Sequence, residues 1–125
     1  MATLEFTQEN LKDYLAQPGI VLADFWAPWC APCNRFAPIF EDAASRHPSV
    51  IFGKVNTDQQ QDLAKVFGIT SIPTIIAFRD GKVVFDQPGT MTGRKIDELI
   101  TQVTQLDLSP SSTPATSTQA TGSSA

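Results

Sequence analysis

Two cysteines three residues apart, Cys30 and Cys33, stand at the seam between an apolar run and an amphipathic one, and that seam restricts the fold most. The stretch Trp26-Ala27-Pro28-Trp29-Cys30-Ala31-Pro32-Cys33 holds the only two cysteines, both tryptophans and two of the prolines. Before it, Ile20 to Phe25 is nearly all apolar, the pattern of a strand covered on both faces. After it, Asn34 to Arg46 carries Phe36, Phe40 and Ala44 in step with Cys33 at intervals of three or four, the pattern of a helix with one buried face. A strand should therefore end, and a helix begin, at the thiols. Unpaired N–H groups and the dipole at a helix start favour negative charge, and a second thiol within reach can resolve a mixed disulfide.

The chain has 125 residues, enough for one domain with its own core, and its hydrophobic content of 42% is that of a globular protein. A net charge of -4 with no basic run argues against a nucleic-acid binder. Two cysteines so close together close only a tiny ring, which removes little unfolded-state entropy, so stapling is a poor reason for their presence. Met1 to Glu5 lacks the basic-then-apolar pattern of a secretion signal, and no apolar run approaches membrane-spanning length. The expectation is a soluble cytoplasmic protein. In that reducing compartment a CxxC pair is catalytic rather than structural.

Read in order, Thr3 to Phe6 suits a short edge strand. Thr7 is placed to cap a first helix, with Phe6 and Leu11 as a hydrophobic staple, and Pro18-Gly19 ends it. Asp24 interrupts the apolar run that follows. A carboxylate there is costly to bury charged, so its pKa should be raised, unless it merely turns the strand end near the surface. Pro38 lies within the second helix and predicts a kink, and His47-Pro48-Ser49 ends that helix. His47, the only histidine, reads as a helix-end residue with nothing tying it to the cysteines. Val50 to Asn56 reads as another buried strand with one charge, Lys54. Either Lys54 pairs with Asp24 beneath the thiols or its amine runs out along a strand edge.

Asp58 to Phe67 predicts a third helix with Leu63, Val66 and Phe67 on one side, and Gly68 suits the left-handed position after it. Pro73 opens the apolar run Ile75 to Phe78, which is possible only where no ladder donor is needed, and an Ile72–Pro73 bond can be cis. Arg79-Asp80-Gly81 predicts a hairpin into Lys82 to Phe85. Gly89 lies in the connection to a last helix with Ile96, Leu99, Ile100, Val103 and Leu106 on one face. Beyond Leu108 the sequence has no charge and no large apolar side chain, so residues 108–125 are expected to be a disordered tail following a domain at 1–107. The order of elements is that of an α/β layered domain, with βαβ crossovers first, then a hairpin and a terminal helix.

In this frame Cys30 sits at the helix tip. Pro32 fits the first turn, where a missing N–H costs nothing. Cys33, one turn further in, should be the more buried thiol and keep its proton. Trp29 offers an apolar surface on which another chain can rest. A zinc or iron–sulfur site needs more ligands than two cysteines and a remote histidine supply. A plain core pair would be odd among so many tryptophans and prolines.

Trp-Ala-Pro-Trp-Cys-Ala-Pro-Cys together with Asp24, Lys54, Ile72-Pro73-Thr74 and Gly89 resembles the thioredoxin family, from Thr3 to Leu106. The resemblance implies a thioredoxin fold, a central five-stranded mixed sheet flanked by four helices. It implies a thiol–disulfide oxidoreductase that reduces protein disulfides, with Cys30 as nucleophile and Cys33 as resolving thiol. Asp24 matches the buried carboxylate that accepts the proton of Cys33 through water, and Lys54 matches its supporting lysine. Trp29, Ile72, Pro73 and Gly89 match the client-docking surface. Ala31, where the family usually has glycine, and Pro32 match the positions that tune redox potential. No cofactor is implied beyond the Cys30–Cys33 disulfide, and the expected partners are client proteins and an NADPH-dependent, flavin-containing thioredoxin reductase acting on a monomer. The rival reading is a scaffold of the same fold with idle thiols.

Overall fold

Apolar runs become strands and amphipathic runs become helices in the computed structural model, which describes residues 2–106. The strands are β1 (Leu4–Glu5), β2 (Ile20–Trp26), β3 (Ile51–Asn56), β4 (Thr74–Arg79) and β5 (Lys82–Pro88). The helices are α1 (Leu11–Leu15), α2 (Ala31–Arg46), α3 (Gln61–Val66) and α4 (Gly93–Gln105). The strands form one sheet in the order β1-β3-β2-β4-β5. β3 runs parallel to both β1 and β2, whereas β4 runs antiparallel to β2 and β5. This is the expected five-stranded mixed sheet with four helices. The tail expected at 108–125 lies outside the described residues.

Side chains alternate across a strand, so each buried strand feeds two cores. Val21, Ala23 and Phe25 of β2 join Ile76 and Phe78 of β4 on one face, beneath Leu11 of α1 and Leu63 of α3. Leu22, Phe52, Ile75 and Ala77 point the other way, against Phe36 and Phe40 of α2 and Ile96, Leu99 and Val103 of α4. Asp24 follows Leu22 on this second face. Six phenylalanines are less than 2% exposed. Burying each contributes roughly 1.5–3 kcal/mol, so they dominate what holds the two layers together. Gly53 of β3 is needed where it stands, because the Phe6 ring occupies the space a Cβ would take.

The departures from the sequence reading have local causes. Thr7 does cap its turn: its Oγ1 accepts from the Asn10 N–H at 3.1 Å while Asn10 Oδ1 accepts from the Thr7 N–H at 2.8 Å. Regular α1 nevertheless starts only at Leu11. The third helix starts at Gln61 rather than Asp58, because Asn56 Oδ1 accepts from the Asp58 and Gln59 N–H groups and holds 56–59 as a turn. Val66 is 74% exposed, contrary to its expected inward side. The core contact passes instead to Phe67, whose ring meets Phe25 and Phe78 edge-on. Gly68 takes the expected positive φ of 65°. β5 extends to Pro88 because Asp86, Gln87 and Pro88 still pair with β4, although they carry no apolar strand pattern. Leu106 lies past the end of α4 and is 39% exposed rather than on its buried face. Pro38 sits inside α2 without ending it.

Candidate active site

The site forms where three neighbouring strands deliver loops to one end of the sheet. β2 and β3 run parallel, so their C-terminal ends lie together, and antiparallel β4 brings its N-terminal end beside them. Beyond Trp26 the Cys30 N–H donates to the Ala27 carbonyl at 3.2 Å, and α2 starts with Cys30 as its N-cap. Cys30 Sγ accepts from the Cys33 N–H at 3.2 Å, the contact that favours a thiolate at a helix start. Pro32 lies in the first turn, where no N–H is required. Ala31 is helical with φ outside the positive region, so its methyl group is accommodated.

Cys30 and Cys33 are joined by a disulfide with Cα atoms 5.2 Å apart. Their exposures are 4% and 2%, so the expected contrast between an open and a sunken sulfur is small in this disulfide form. Ala27, Trp26 and Ile72 pack around them. The Ile72–Pro73 bond is cis, and the Ile72 carbonyl oxygen lies 3.8 Å from Cys30 Sγ. The Pro73 carbonyl accepts from the Gly89 N–H at 2.7 Å, and Gly89 holds a φ of 98° that favours glycine. Thus Ile72, distant from the cysteines in sequence, lies beside the sulfur, and Gly89 is tied to the proline that follows it. Trp29 is 71% exposed, and its Nε1 donates to the Asp58 carboxylate at 3.1 Å. Asp58 escaped the sequence reading because only its position in the Asn56 turn sets it against Trp29.

Asp24 and Lys54 stand opposite each other on β2 and β3. Asp24 is fully buried, and neither carboxyl oxygen has a hydrogen-bond partner among the described residues. Burial pushes its pKa up to about 7, with the Lys54 charge pulling the other way. The Lys54 ammonium rests 4.4 Å from the centre of the Trp26 ring, so it acts on Asp24 through space rather than by contact. His47 takes no part: its Nε2 lies 2.7 Å from Asp97 and its ring stacks on Phe52. No helix among the described residues is long and apolar enough to cross a membrane.

The disulfide sits at a helix tip beside the cis-proline loop, and the chain can be set against known proteins. The sequence matches the family described as Thioredoxin over residues 2–104. The chain belongs to the thioredoxin family. A putative thioredoxin 2 of Streptomyces coelicolor is 43% identical over 107 residues, covering 86% of this chain and 80% of that one. The thioredoxin of Mycoplasma pneumoniae is 42% identical over 94 residues, covering 75% of this chain and 92% of its own. Among solved structures, a mutant thioredoxin from Halobacterium salinarum NRC-1 is similar with a TM-score of 0.76 at 31% identity, over 84% of this chain and 92% of that one. As a thioredoxin-family protein with its cysteine pair closed in a disulfide, the chain is a thiol–disulfide oxidoreductase acting on protein disulfides. A scaffold with idle thiols is not favoured.

Proposed function

We propose that Cys30 is the attacking thiol and Cys33 the resolving one. The Cys30 thiolate attacks one sulfur of a client disulfide, forming a mixed disulfide and releasing the other client sulfur as thiolate. Cys33 then loses its proton to Asp24, reached through water, and attacks Cys30 Sγ. The second client thiolate leaves, two electrons have passed to the client, and the protein is left as the Cys30–Cys33 disulfide. The observation that carries this assignment is the Cys33 N–H directed at Cys30 Sγ at the start of α2. Asp24 suits its role because its pKa of about 7 lets it take and return a proton near neutral pH, and Lys54 supports its ionised form through space.

The client strand docks on Trp29, Ile72, Pro73 and Gly89, a reading supported by the Ile72 carbonyl beside Cys30 Sγ and by the exposed Trp29 ring. Ala31 and Pro32, between the cysteines, tune the potential. The oxidised protein is returned to the dithiol by an NADPH-dependent thioredoxin reductase, in the cytoplasm, acting on a monomer whose working domain is residues 1–107. Insulin reduction tests the assignment. Cys30→Ser should abolish turnover, and Cys33→Ser should accumulate mixed disulfides with clients. Full turnover by Cys30→Ser would refute it.

A further inference from the structure

We propose that Asn34 is a positioning residue that braces the loop carrying Cys30, chiefly in the dithiol form. The inference rests on Cys30 being the nucleophile. Asn34 stands one turn into α2, and its side-chain Nδ2 reaches back to donate to the Pro28 carbonyl at 3.1 Å. Its own N–H donates to the Cys30 carbonyl at 3.1 Å. Loop and helix are therefore laced twice, and the side-chain bond closes a ring of residues 28–34 that encloses both sulfurs. The Pro28 carbonyl belongs to the peptide unit that leads into Trp29. Rotation of that unit would turn both Trp29 and the backbone that aims Cys30 Sγ at the Cys33 N–H.

The two redox forms need this brace unequally. In the disulfide, a covalent bond already ties residue 30 to residue 33 and holds the loop on the helix. In the dithiol that bond is gone, and the tie of Pro28 to the helix is the Asn34 amide. A bond that matters more in one form than the other shifts the equilibrium between them. Loss of the brace destabilises the dithiol more, so the couple moves toward the disulfide and becomes more strongly reducing. An exposed neutral hydrogen bond sets the size at about two- to five-fold in the equilibrium constant.

The test is Asn34→Ala equilibrated in glutathione buffers, with the balanced reaction protein dithiol plus oxidised glutathione giving protein disulfide plus two reduced glutathiones. The fraction of each form is read by trapping free thiols at low pH. The expected result is a constant larger in the variant by about two- to five-fold. Urea unfolding of both redox forms should show the variant losing more stability as dithiol than as disulfide. An unchanged constant, with equal stability losses in the two forms, would mean a purely structural bond and overturn the proposal. Alkylation of Cys30 against pH in the unsubstituted protein separates this from failure of the parent assignment. If Cys30 is there no more acidic than a free cysteine, the nucleophile assignment fails. If it is acidified and Asn34→Ala leaves the glutathione constant unchanged, only the brace fails.

Discussion

Replacing Asp24 by asparagine should flatten the pH dependence of stability. In the folded protein burial raises the carboxyl from an ordinary 3.8 to about 7. Because the folded value lies above the unfolded one, the neutral form is the one the fold tolerates. Its contribution is complete below about pH 4, falls as the pH climbs through 7, and is gone above that. Three pH units at 1.36 kcal/mol each correspond to about 4 kcal/mol lost between pH 4 and pH 8. Asparagine is of nearly the same size and cannot ionise, and it inherits the same unpartnered pocket. Asp24→Asn should therefore match the parent protein at pH 4 and exceed it by about 2–4 kcal/mol at pH 8. With a urea slope of about 2 kcal/mol per molar, the midpoints should separate by roughly 1–2 M at the higher pH. The assay is urea unfolding of the disulfide forms of both proteins from pH 4 to pH 8. Subtracting one curve from the other removes titrations common to both. A difference that stays constant within about 1 kcal/mol, or that grows toward acid, would refute the account.

Two further perturbations separate docking from packing. Trp29→Ala should raise KM for a protein disulfide several-fold while changing stability by less than about 1 kcal/mol, since the ring is mostly exposed and its partner Asp58 can turn to water. Steady-state insulin reduction alongside thermal unfolding checks both, and an unchanged KM would remove Trp29 from the docking surface. Gly53→Ala should lower stability by about 1–3 kcal/mol, because its methyl group meets the Phe6 ring in a fully packed layer. An unshifted urea midpoint would show that Phe6 has room to withdraw.

What the sequence discloses about this fold is governed by how local the cause is. β2 and β4 are legible because burial on both faces leaves an apolar run, broken in β2 by Asp24 alone, and α4 because its buried residues recur at helical spacing. Cys30 at a helix tip follows from the run on either side of it. By contrast, the start of α3 depends on one Asn56 side chain capturing two N–H groups, a choice that composition does not reveal. Residues 86–88 carry no strand signature, and pairing with β4 alone keeps them extended. The site divides in the same way. Asp24 stands out as a lone carboxylate in an apolar run, and its burial follows from that run. Lys54 stands out equally as the one charge in β3, yet its attraction to the Trp26 ring, which takes up the ammonium, is tertiary. Asp58 against Trp29 is a contact between loops, and Asn34 of α2 against Pro28 one between helix and loop, and no residue pattern encodes the loop shapes that make them.

The reversal of direction at β4 separates the molecule into two ends with different tasks. The Asp80-Gly81 turn that joins β4 to β5 is bonded both ways to Gly19 at the opposite end of the strands, Gly19 N–H to the Asp80 carboxylate and Asp80 N–H to the Gly19 carbonyl. The extended run of β4 lies between that clasp and the proline loop, a span of roughly 20 Å. Splices or labels placed at the clasp end would leave the electron-transferring rim untouched, so the far pole is where such a chain can acquire new surface without altering its redox poise.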